Sequence, residues 1–161
     1  MYYVSTMPPA KSDAALPLDP TLEFLRSLWR IEHSLQRVSK RMEATVGVTG
    51  PQRLVIRVLT AHPNLTAGEL SAVVRLHAST LTGVLQRLER KGLIARDRDP
   101  ADNRRVRLRL LPTARRLAVN TKGTVEGAVA EALSHQSPAH IKVAHQVLSA
   151  IAHGLETQST R

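Results

Sequence analysis

Apolar residues recur near helical spacing from the first third of the chain: Leu22, Leu25, Leu28, Leu35, Val38 and Met42 fall along one stripe. Asp19 followed by Pro20 supplies a cap and a first-turn proline, so the pattern predicts one long helix over about 20–46, ending near Gly47. Thr49 and Gln52 have the spacing of a capping box, in which each side chain satisfies the other's backbone donor. The helix they start shows Leu54, Val55, Val58 and Leu59 as its apolar face and stops before Pro63. Thr66 and Glu69 repeat the box, with Leu65 and Leu70 at the two positions of a hydrophobic staple, and open a short helix over about 66–74. After a tight turn at 75–77 a further helix runs from about 78 to 91 and closes at Gly92.

The period then changes from near four to two. Residues 94–98 form a strand candidate, 99–103 (DPADN) a turn cluster, and 105–110 alternate strictly between arginine and an aliphatic residue. The hairpin so formed carries Val106, Leu108 and Leu110 on one face and Arg105, Arg107 and Arg109 on the other. Pro112 opens a helix predicted to continue to about 134. Ser137 and Pro138 start a last one, whose stripe is Ile141, Ala144, Leu148, Ile151 and Leu155. The expected fold is mainly α with a small β-hairpin, a winged helix-turn-helix flanked by long helices. Its divisions are a flexible arm over 1–19, an N-terminal helix over 20–48, the winged lobe over 49–111 and C-terminal helices over 112–161.

Composition narrows the function. The chain has 161 residues and a net charge of +10, and only 2% of its residues are aromatic, so the core must be Leu, Val, Ile and Ala. Such a basic balance points to a polyanion, either nucleic acid or an anionic membrane surface. A membrane-surface helix would set bulky apolar residues opposite its basic ones; here the basic residues sit on a hairpin. Residues 90–116 hold ten Lys or Arg against three Asp, and phosphate contacts of that kind supply most non-specific DNA affinity. The absence of cysteine excludes disulfides, thiol redox sensing and cysteine metal sites. No apolar run approaches a membrane span and no h-region is apparent, so a cytoplasmic protein is expected. With no phosphate loop, nucleophile motif or helical carboxylate pair, no enzyme is expected. Nor is a cofactor or metal site: His135, His140 and His145 are spaced by five, about 500° of helix per step, which puts successive rings on different faces.

The helix over 78–91 is amphipathic in an informative way. Leu81, Val84, Leu85 and Leu88 lie on one face; Ser79, Thr82, Gly83, Gln86, Arg87 and Arg90 lie on the other. Alone this is equally a solvated surface. Followed at once by the basic hairpin, it suits the major groove of double-stranded DNA, where Gln reads adenine and Arg reads guanine.

The stretch LHASTLTGVLQRLERKGLIARDRDPADNRRVRLRLLPTARR resembles the recognition helix and wing of MarR-type transcriptional regulators. The matching features are a leucine near the helix end, a Gly-Leu-Ile step, an arginine and an acidic-x-arginine wing tip, and the likeness extends over roughly 20–155. It implies DNA contacts from His77, Ser79, Thr80, Thr82, Gly83, Gln86 and Arg87 on the helix and from Arg98, Asp102, Arg104 and Arg105 on the wing. The resemblance also implies that Asp102 orients Arg104 and that the Arg104 guanidinium enters the minor groove, whose narrow width suits it; the plain alternative for this pair is a surface ion pair of little worth. His77 stands where a small polar cap is common. Where the family reads Leu-Thr-x-x-Gly, this chain reads Leu110, Leu111, Pro112, Thr113, Ala114, so Pro112 must replace the start signal.

The resemblance further implies a homodimer built from the terminal helices, with two recognition helices in successive major grooves of a palindromic site. It also implies repression relieved by a phenolic or anionic small molecule, with Arg26, Trp29, His33 and His62 as candidate ligand contacts. A ligand-independent architectural DNA binder is the competing reading, and it would show little sequence preference.

Overall fold

A computed structural model describes residues 17–102 and 104–159. The arm expected over 1–19 lies outside the described residues for its first sixteen positions, and Asn103 of the turn cluster lies outside them too. The order is α1 (Pro20–Val46), α2 (Gly50–Ala61), α3 (Ala67–Val74), α4 (Ala78–Arg90), β1 (Ile94–Arg98), β2 (Val106–Leu110), α5 (Pro112–Val119), α6 (Val125–Ser134) and α7 (Pro138–Ser159). The chain divides into two units within α1, between His33 and Ser34. In the first, Arg26 Nη2 donates to Glu23 Oε2 at 2.6 Å, and Leu22, Phe24, Trp29 and Ile31 are exposed.

In the second unit the local start signals act as expected. Thr49 and Gln52 cap α2 reciprocally, and Thr66 and Glu69 cap α3, with Thr66 N–H donating to Glu69 Oε2 at 2.8 Å. Arg75 in the left-handed region (φ 50°) ends α3, and Gly92 (φ 62°) follows the end of α4. Leu81, Val84, Leu85 and Leu88 of α4 are buried with Val55, Ile56 and Leu59 of α2, Leu70 of α3, and Leu108 and Leu110 of β2. The strands pair antiparallel, with Ile94 opposite Leu110 and Arg98 opposite Val106. Leu108 N–H donates to Leu65 O at 2.8 Å, and Thr66 bridges Arg107, which fastens the hairpin to the entry of α3.

Three expectations need correction. Of the α2 face expected from Leu54, Val55, Val58 and Leu59, Val55 and Leu59 are buried and Val58 packs against the core, but Leu54 is 44% exposed, and Gln52, Arg53 and Ile56 are buried instead. Val106 lies beyond the edge of the core and is exposed, unlike Leu108 and Leu110. The helix expected from Pro112 to about 134 is broken after Val119.

The break has a long-range cause and a local one. The Arg53 guanidinium, 1% exposed, donates to the carbonyls of Leu117 and Asn120 and to the carboxylate of Glu126, so it satisfies the end of α5 and holds the first turn of α6. Locally, Gly123 is left-handed (φ 73°) and Thr124 caps α6 by accepting from Gly127 N–H at 3.1 Å. Pro112 does start α5, with Leu111 at the cap position making no side-chain bond. Among the residues whose burial is described, α6 and α7 bury none, leaving Leu133, Val143, Val147, Leu148 and Leu155 at least 40% exposed. Among the described residues no helix is long and apolar enough to cross a membrane.

Candidate nucleic-acid interface

α4 buries its leucine and valine face and leaves the opposite face in solvent. Ser79, Thr80, Thr82, Gln86, Arg87 and Arg90 are exposed. His77 caps the helix: its Nδ1 accepts from Ser79 N–H at 3.4 Å and lies 2.8 Å from Ser79 Oγ. Thr82 Oγ1 donates back to Ala78 O at 2.8 Å. Both hydroxyls therefore keep lone pairs turned to solvent, while Thr80, Gln86 and Arg87 make no side-chain hydrogen bond among the described residues. Gly83 is half-buried, yet a Cβ there would meet only Arg87 Nη2, at an ordinary 3.5 Å. The fold does not require this glycine, which costs a helix about 1 kcal/mol. Its effect is a low spot on the polar face.

The wing is less uniformly cationic than its sequence suggests. Arg105 pairs with Glu69 at 2.7 Å, Arg107 with Asp99 at 2.6 Å, Arg96 with Glu89 at 2.7 Å, and Arg109 with Asp97. Arg107 also donates to Asn64 O at 3.1 Å. These contacts tie the hairpin to α3, to α4 and to itself. They hold three carboxyls below the usual range: Glu69 through the N–H and hydroxyl of Thr66 and then Arg105, Asp99 through the Ala101 N–H and then Arg107, and Asp97 through Arg109. In return Asp97 raises Arg109.

The wing tip is organised by aspartates that bind backbone. Asp99 Oδ1 accepts from Ala101 N–H and Asp102 Oδ1 from Arg104 N–H, both at 3.0 Å, the geometry of two Asx-turns. Asp102 thus orients Arg104 through its main chain and not through an ion pair. Arg98 and Arg104 form no ion pair among the described residues, so the unpaired cations of the hairpin cluster at its tip.

Arg26, Trp29 and His33 are exposed on α1, and His62 is exposed at the C-terminal cap of α2. The second unit also contains an apolar cleft of about 560 Å³, lined by Leu35, Gln36, Ser39, Gly50, Pro51, Leu54, Arg57, Leu76, Val125, Glu126 and Val129. Sequence reasoning named none of these as a site. The available signal was Leu54, an apolar residue one position off the stripe that α2 buries. Arg53, buried on α2 and bonded to Glu126 of that lining, was equally unmarked.

The MarR family profile matches residues 48–106. An organic hydroperoxide resistance transcriptional regulator of Bacillus subtilis (strain 168) is 32% identical, over 88% of this chain and 92% of its own length. The uncharacterized HTH-type transcriptional regulator YsmB of the same organism is 32% identical, over 63% and 69%. Among solved structures, the PcaV transcriptional regulator of Streptomyces coelicolor in complex with its natural ligand is 25% identical, with a TM-score of 0.67 over 85% of this chain and 96% of that one. The S. aureus MepR–DNA complex shares the fold at 21% identity, with a TM-score of 0.68 over 82% and 97%.

Proposed function

The chain belongs to the MarR family of transcriptional regulators, and from that premise we propose that it is a homodimeric repressor of a palindromic DNA site, relieved by a small effector. α4 enters the major groove, with Gln86 and Arg87 at base edges and Ser79, Thr80 and Thr82 toward phosphates. Arg104 enters the flanking minor groove and Arg98 meets its phosphates. Residues 49–111 form the DNA-binding lobe; 20–48 and 112–161 supply the dimer contacts, and the protein acts in the cytoplasm. The observation that carries this reading is the division of the basic residues. Arg96, Arg105, Arg107 and Arg109 are ion-paired within the wing and its supports, whereas Arg87, Arg90, Arg98 and Arg104 have no ion-pair partner among the described residues.

The apolar cleft is the effector site in this reading. Its volume of about 560 Å³ falls in the range that takes a small organic molecule. Leu35, Leu54 and Val129 offer faces to a ring, and Arg57 offers guanidinium donors beyond the one given to Ala118 O at 2.9 Å. A phenolic or carboxylate-bearing aromatic fits that lining. A thiol switch has no residue to act on, since the chain contains no cysteine.

The test is selection of duplexes from a random-sequence pool, followed by competition between the selected duplex and random DNA. Preference of about 10³-fold or more is expected of a specific regulator. A ratio near one would replace this reading with the architectural one.

A further inference from the structure

We propose that Arg53 and Glu126 form a positioning pair that sets the angle between the DNA-binding lobe and the C-terminal helices, and through it the spacing of two recognition helices. The inference rests on the homodimeric reading above. Arg53 lies on the buried face of α2, beside Val55 and Ile56, with 1% of its surface exposed. Its three donor edges reach three acceptors at one junction: Glu126 in the first turn of α6, Leu117 O in the last turn of α5, and Asn120 O just beyond it.

Burying a guanidinium among aliphatic side chains is a poor route to stability, because desolvation consumes most of the attraction. What a planar, forked cation does better than a leucine is fix directions. Here it joins Thr124, which caps α6, and Met42 Sδ, which accepts from Val125 N–H at 3.2 Å, in fixing the start of a helix none of whose own residues is buried. The helix-end carbonyls carry partial negative charge and the first turn of α6 favours an acid, so the pair also agrees with both helix dipoles.

Glu126 has a second relationship. Its side chain is 32% exposed and forms part of the wall of the apolar cleft. A molecule in the cleft therefore lies against the same residue that Arg53 holds. Cleft occupancy and helix direction share one group, and coupling through a shared group acts equally in both directions.

The cysteine-free chain allows a direct test. Ala72, exposed on α3 and outside the proposed DNA contacts, is replaced by cysteine and spin-labelled, and the distance between the two copies is measured by pulsed dipolar spectroscopy. The same chain is compared with Glu126→Ala, and with Arg53→Met, which keeps the bulk while removing the fork. Affinity is read on a duplex selected by the wild-type chain and on a duplex cut to one half-site. We expect a shifted or broadened distance distribution and about tenfold weaker binding to the two-half-site duplex, with single half-site binding unchanged. Wild-type distances and affinities in both variants would overturn the proposal. So would equal losses on the two duplexes, which would mean damage within the lobe. If the wild-type chain gives no dipolar signal, the dimer reading fails and this inference falls with it.

Discussion

Arg105 Nη2 lies 2.7 Å from Glu69 Oε1, so the wing is fastened to the first turn of α3, the same turn that Glu69 caps through Thr66. One carboxylate thereby secures a helix start and a hairpin. Its pKa is lowered, first by the Thr66 backbone N–H, and that of Asp99 is lowered, first by Ala101 N–H. A depressed carboxylate contributes stability that is complete above its unfolded pKa, about 4, and is lost as pH falls through its folded value. Thermal unfolding of the wild-type chain, Glu69→Gln and Asp99→Asn from pH 7 to pH 3 checks this. The variants should melt lower at neutral pH, and the gap should close below about pH 4. A gap that stays constant down to pH 3 would contradict the assignment.

The division of wing arginines into paired and unpaired gives distinguishable phenotypes for neighbouring substitutions. Arg104→Ala should weaken DNA binding by about 1–3 kcal/mol and lower the salt slope by about one, with the melting temperature unchanged. Arg107→Ala removes the partner of Asp99, whose side chain is 6% exposed, and should lower the melting temperature as well as DNA affinity. Anisotropy titrations across a salt series, beside melting curves, separate the two. Matching profiles for both variants would show that the ion pairs do not sort these residues.

Much of this was legible because it is local. The Thr49–Gln52 and Thr66–Glu69 boxes, the leucine face of α4, the Gly92 stop and the alternation in β2 each lie within a few residues, and each formed where its spacing placed it. What was not legible depends on partners distant in sequence. The break between α5 and α6 rests partly on Arg53, separated from Leu117 by 64 positions. The apolar spacing of 112–134 carries no trace of it; the local signal was Gly123 followed by the cap Thr124. The burial of Arg53 while Leu54 stays exposed has the same origin, since the guanidinium finds its acceptors at the junction of Leu117, Asn120 and Glu126. The ion pairs of the wing were hidden because a run of arginines looks equally charged whether or not it is paired.

Two glycines should respond in opposite directions to alanine. A Cβ on Gly127 would lie 2.1 Å from the carbonyl oxygen of Thr121, a backbone atom that cannot yield without reopening the turn before α6. Gly127→Ala should destabilise by about 1–3 kcal/mol. Gly68, in the first turn of α3, has nothing within 4 Å of such a Cβ. Gly68→Ala should stabilise by about 0.4–1 kcal/mol, by restricting the unfolded chain. Chemical denaturation gives both values. Destabilisation by the two alike would show that the α5–α6 turn sets no special constraint.

The exposed apolar residues of α7 test the dimer without touching the DNA-binding lobe. Leu148 is 46% exposed and Leu155 63%, and α7 buries nothing in the described chain. A charge at either position costs an isolated chain little, because each already meets water. In a dimer that covers them, the same charge is desolvated without a partner. Leu148→Glu and Leu155→Glu should therefore leave helix content and the lobe's melting transition intact, shift sedimentation from dimer to monomer, and abolish the preference for two half-sites over one. A double variant that still sediments as a dimer would remove α7 from the interface and leave α1 and α6 as the elements to test.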